Sequence, residues 1–94
     1  MPNNIDWSLL ITKAMKEKQE AEAKYLADSA TENAWRNARL LVIADQLLAI
    51  EDDDPNRMLG TDREWRDYRI ALRAWKEGAE GFPNMENRPV APQE

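Results

Sequence analysis

The sequence predicts an all-α protein, with a long N-terminal helix or helix pair, an acidic loop, a C-terminal amphipathic helix and an extended, Pro-containing tail. Three observations carry this. Strong helix formers (Ala, Glu, Lys, Leu, Gln) crowd residues 6–27 with no Gly or Pro among them. Apolar residues elsewhere recur at helical spacings of 3 and 4. No stretch alternates apolar with polar as a half-buried strand would.

Ninety-four residues make one small unit, organised as an N-terminal Ala/Glu/Lys-rich segment (1–30), a helical core (31–81) and a C-terminal tail (82–94). The composition is 33% charged and 43% hydrophobic with mean hydropathy −0.78, and no apolar run reaches membrane-spanning length. Met1, Pro2, Asn3 and Asn4 lack the basic-then-apolar order of a secretory signal, so a cytoplasmic location and no membrane partner are expected. With no Cys and no His, thiolate nucleophiles, imidazole bases, disulfides and the usual zinc and haem ligands are excluded. A net charge of −5 opposes sequence-independent nucleic-acid binding, which rests on phosphate neutralisation.

In the first segment Trp7, Ile11, Ala14, Ala21 and Tyr25 form a seam spaced by 4 and 3, with Lys18 and Asp28 in the remaining slots and Leu10 and Leu26 widening it. Small side chains in its middle bury little area, so this stretch is either a solvated helix or one strand of a thin coiled coil. Ser29 and Glu32 have capping-box spacing and would start a second helix. The competing reading is one rod over residues 6–50, about 68 Å long at 1.5 Å per residue. From 34 to 50 the pattern is apolar nearly all round. Ala34, Trp35, Ala38, Leu41, Val42 and Ala49 make one face, and Leu40, Ile43, Leu47 and Ile50 make another. So apolar a helix needs contacts beyond its own small chain, and self-association through Leu40, Ile43, Leu47 and Ile50 is expected.

Acidic residues 51–54 sit where the helix macrodipole disfavours anions, and Pro55 pushes Asp54 out of helical geometry, so the helix ends there. Asp52, Asp54 and Asn56 alternate like the first ligands of a calcium loop. Arg57 then stands where the turn glycine belongs and Arg63 where the bidentate acid belongs, so no metal site is assigned. Thr61 and Glu64 repeat the capping-box spacing and start the last helix, where Trp65, Tyr68, Leu72 and Trp75 share one face. Arg66, Arg69, Arg73 and Lys76 form an adjacent basic edge. That edge beside aromatic rings would suit single-stranded nucleic acid, yet the acidic loop upstream repels a polyanion. Gly78 and Gly81 stop the helix, and Phe82-Pro83, Arg88-Pro89 and Ala91-Pro92 punctuate the tail. With neither a Gly-rich phosphate loop nor a Gly-x-Ser-x-Gly elbow, no catalytic residue, no cofactor and no enzymatic activity are assigned.

Residues 35–92 carry a resemblance. Trp65, Tyr68, Arg69, Leu72 and Arg73 fit a helix of the form Trp-x-x-Tyr-Arg-x-x-Leu-Arg, followed by Phe82-Pro83 and then Pro89, Val90 and Pro92. Arg39, Leu40, Leu41 and Ile43 match the preceding apolar helix. In this order and type the chain resembles the small tail fibre assembly proteins, or tail fibre chaperones, of tailed bacteriophages. Where that family commonly has an Asp-Trp pair after the apolar helix and a Trp-Pro near the C-terminus, this chain has Glu51-Asp52-Asp53-Asp54-Pro55 and Arg88-Pro89, and these changes bear on partner choice. The resemblance implies a protein in the bacterial host cytoplasm that binds the C-terminal part of a tail fibre chain and assists its folding and trimerisation. Trp65, Tyr68, Arg69, Leu72, Arg73, Trp75 and Phe82 would then contact the partner or support the contact. The alternatives are another phage tail assembly chaperone, of the tape-measure type, and a self-associating helical structural or regulatory protein.

Overall fold

The computed structural model describes residues 7–92, with side chains from residue 12 onward. Asp6 and the side chains of Trp7, Leu10 and Ile11, assigned above to the first helix and its seam, lie outside that description. Among the described residues there are two α-helices, α1 (Trp7–Glu51) and α2 (Asp62–Ala74), a 3-10 turn (Met85–Asn87) and no strand. The all-α class is as expected, with a long first helix and a shorter second one.

α1 is a single unbroken helix of 45 residues. Of the two readings left open at Ser29, the rod is the one adopted, because the capping box there does not form. Thr31 donates its hydroxyl back to the Ala27 carbonyl at 3.1 Å, a bond made inside a continuing helix. Glu32, which would have reached back to the Ser29 N–H, is engaged by the tail instead. The helix makes the molecule long. Its extents are 81 × 18 × 17 Å, and its radius of gyration of 21.6 Å far exceeds the roughly 13 Å of a compact domain this size.

α1 stops in a Schellman motif. Asp53 takes a left-handed φ of 54°, its N–H donates to the Ile50 carbonyl at 3.1 Å, and the Asp54 N–H donates to Ala49 at 2.9 Å. Aspartate tolerates this conformation better than most side chains. Asp54 then accepts from the Asn56 N–H at 2.8 Å, and Arg57 pairs with Asp53 at 3.0 Å. The buried Gln46 side chain holds the loop by both of its amide atoms, donating to the Met58 carbonyl and accepting from the Met58 N–H, each at 3.1 Å.

The second capping box does form. Thr61 Oγ1 accepts from the Glu64 N–H at 3.1 Å, and Glu64 Oε1 accepts from the Thr61 N–H at 2.8 Å. α2 runs back antiparallel along α1, as the pairings of Gln46 with Met58, Arg39 with Tyr68 and Arg36 with Trp75 record. It ends one residue before Trp75, whose N–H bonds to the Leu72 carbonyl. Arg36 places a guanidinium N–H on the Trp75 carbonyl at 2.8 Å, a cation at the negative end of α2.

The tail folds back along this hairpin. It travels toward the α1 N-terminus through a cis Phe82-Pro83 peptide and the turn at Met85–Asn87, then returns until Ala91 is buried with Ile43, Trp65, Tyr68 and Leu72. α2 and the tail together form a clasp on the C-terminal half of the rod. Gly60 closes the clasp: its φ is 114°, and a Cβ there would lie 2.7 Å from Trp65 Nε1 and 3.0 Å from Pro92 Cβ. Gly60→Ala is expected to lower stability by about 1–3 kcal/mol through combined strain and overlap, measured as an earlier denaturant midpoint of tryptophan fluorescence.

Candidate protein-binding surfaces

The aromatic stripe of α2 faces inward. Trp65 and Leu72 have no exposed area, and Tyr68 and Trp75 are almost as fully buried. Trp65 donates its indole N–H to the Leu59 carbonyl at 3.0 Å and meets Tyr68 edge-on at 6.0 Å. Trp75 meets the half-buried Phe82 ring edge-on at 5.2 Å. Of the seven residues assigned to a partner, these five are packed within the clasp itself. Arg69, half-buried, and Arg73, exposed, remain at its surface.

The set assigned to self-association meets the same fate. Ile43 is sealed in the core, and Leu40, Leu47 and Ile50 pack half-buried against it. α2 covers that face because its amphipathic stripe, folded antiparallel, supplies the contacts that the apolar helix needed. The apolar residues of α1 still uncovered are others, chiefly Leu26, Leu41 and Leu48.

At the clasp's far end a charged node, invisible at short range in the sequence, ties tail to rod. The Glu32 carboxylate is buried and accepts from Arg88 Nε and Nη2, both at 2.7 Å, and from Trp75 Nε1 at 3.1 Å. The Arg88 guanidinium lies over the Trp35 ring, 4.3 Å from its centre. Hydrogen bonding from Arg88 holds the Glu32 carboxyl below its ordinary value of 4.5 against the opposing effect of burial, and the same bond raises Arg88. A buried charge is tolerable only when paired and hydrogen-bonded, as both partners are here.

Past this node the rod emerges bare. Every residue from 12 to 27 is exposed. Ala14, Ala21 and Tyr25, from the seam read in the sequence, lie on the same side of α1 as the clasp and extend its inward face along this arm. Tyr25 keeps 39% of its surface exposed. Where arm and clasp meet, Lys24, Asp28, Thr31, Pro83, Asn84 and Met85 line a groove. The exposed Lys24–Asp28 pair at 2.6 Å adds about 0.3–0.5 kcal/mol of local helix support there.

The acidic loop gathers no cluster: among the described residues no group of three or more acidic side chains could hold a metal ion. The basic edge is partly neutralised, with Arg66 bound to Asp62 at 2.7 Å. Among the described residues no helix is long and apolar enough to cross a membrane. Comparison with family models, with curated proteins and with solved structures finds no match to this chain.

Proposed function

We propose that the chain is a non-catalytic assembly chaperone, acting in the bacterial host cytoplasm, that lends helix surface to the C-terminal part of a tail fibre protein and assists its folding and trimerisation. The observation that supports this reading is the bare arm, whose inward face continues the packing surface of the clasp and is covered by none of the described residues. A client segment laid on Ala14, Ala21 and Tyr25 would abut the groove at Pro83 and Met85. It would bury apolar area there in the way α2 does further along the rod. The stripe that carries the resemblance supports the client surface from beneath, by holding the tail turn in place through Trp75 and Phe82.

Coexpression with the C-terminal segment of the adjacent fibre gene tests the reading. Soluble, trimeric fibre should rise several-fold, and Ala21→Glu, which sets a charge on the exposed arm away from the core, should abolish the rise without altering the clasp. An unchanged fibre yield counts against the reading. A rise with the tape-measure protein alone would transfer the client to that chain.

A further inference from the structure

The face of α1 turned away from α2 carries a heptad seam that the reading of the sequence did not single out. Ala23, Ala27, Ala30 and Ala34 lead into Asn37, Leu41, Ala44 and Leu48, at alternating spacings of 4 and 3. All eight are exposed, Leu41 at 72% and Leu48 at 57%. The six charged residues of that stretch, Lys24, Asp28, Glu32, Arg36, Arg39 and Asp45, all stand off the seam. An outward helix face without charge for about 38 Å is unlike a solvated one, and its 3.5-residue period is that of a coiled-coil contact.

We infer that this seam binds a second copy of the chain, antiparallel, giving a dimer whose clasps sit at opposite ends. Charge and side-chain volume choose the partner and its direction. With Ala34 of each chain opposite the partner's Asn37, Leu41 meets the partner's Ala30 and Leu48 meets the partner's Ala23, so each large side chain faces a small one. Lys24 comes beside the partner's Asp45. In this register the four carboxylates at 51–54 of one chain and those of its partner lie at opposite ends of the overlap. A parallel pair would instead stack those carboxylates on each other and align the two macrodipoles unfavourably. The antiparallel overlap covers residues 20–51, and four positions in seven of it make about 18 residues a side, near the small end of specific interfaces. Alanines at most positions limit the apolar area, so the dissociation constant is on the order of micromolar. The dimer uses the face opposite the proposed client strip, so each can fail alone.

The full-length chain tests this directly. Sedimentation equilibrium from micromolar to millimolar concentration should show the mass rising from 10.9 kDa toward twice that value. Ala34→Glu, exposed and far from the core, should hold the mass at that of one chain while the near-ultraviolet signal of the clasp is unchanged. The chain has no cysteine. Under mild oxidation the Ala23→Cys/Leu48→Cys double variant should therefore run as a covalent dimer, with each single variant staying monomeric. Within one chain the two sites lie about 38 Å apart, too far to bridge. A monomer at every concentration, a dimer indifferent to Ala34→Glu, or self-cross-linking of either single variant would overturn the antiparallel seam. A monomer that takes a fibre segment on this face would overturn it too, while leaving the chaperone reading intact.

Discussion

Trp65→Ala is expected to cost about 3–5 kcal/mol, the largest effect of any single truncation in the chain, because the indole it removes is wholly buried at the centre of a small core. The loss has three sources. The cavity takes away the packing of Ile43, Tyr68, Leu72 and Ala91, the edge-on contact with Tyr68 disappears, and the Leu59 carbonyl loses its donor. Domains of this size hold only about 5–15 kcal/mol in all, so the clasp should open at moderate temperature. The measurable signature is early loss of the near-ultraviolet aromatic signal, with much of the far-ultraviolet helical signal retained, since the arm of α1 owes nothing to the core. Trp65→Phe keeps most of the area and lacks the N–H, so it should fall between, at about 1–2 kcal/mol. A Trp65→Ala protein as stable as the parent would mean that the clasp is not the folding unit.

Glu32→Ala should come second, at about 2–4 kcal/mol, because it leaves the Arg88 guanidinium and the Trp75 indole N–H without their acceptor. Arg88 is about one quarter exposed and can recruit water, which keeps the figure below that of a fully enclosed pair. The node also sets a pH dependence. Because the folded carboxyl is held below its unfolded value of 4.5, its contribution is fully present above that value and is lost as pH falls through the lowered one. Acid titration of the parent should therefore loosen the clasp as pH falls below 4.5. Glu32→Gln should start from a lower stability and lose less of it over the same interval. Parallel acid curves for the two proteins would show that Glu32 is not the responsible group.

The two capping boxes mark how much of the fold could be read directly. Thr61 and Glu64 form theirs directly after Gly60 and a proline-broken loop, while Ser29 and Glu32, reached through an unbroken run of helix formers, do not. The Glu32 carboxylate is taken instead by Arg88, 56 residues away. The end of α1 was legible, since Pro55 and the acidic run act on the backbone next to them. The 3-4-3 stripe of α2 was also legible as a sticky face, but not what it would stick to. Trp65, Tyr68, Leu72 and Trp75 suit a client's apolar surface and the chain's own α1 equally well by composition, and only the antiparallel return of α2 distinguishes the two.

The outward seam of α1 was hidden for a related reason. From 34 to 50 apolar residues occupy nearly every direction, so the sequence offers several overlapping stripes without ranking them. Once α2 occupies the side of Ile43, the stripe through Ala34, Leu41 and Leu48 is the one left in solvent. The sequence by itself therefore determined the helical class, the end of the rod and the start of α2, all of which depend on dihedrals and hydrogen bonds within one turn. The tertiary structure decided which of the rod's faces is sealed and which is free. Those outcomes turn on side chains that meet only after the chain has doubled back, and no local periodicity encodes that meeting.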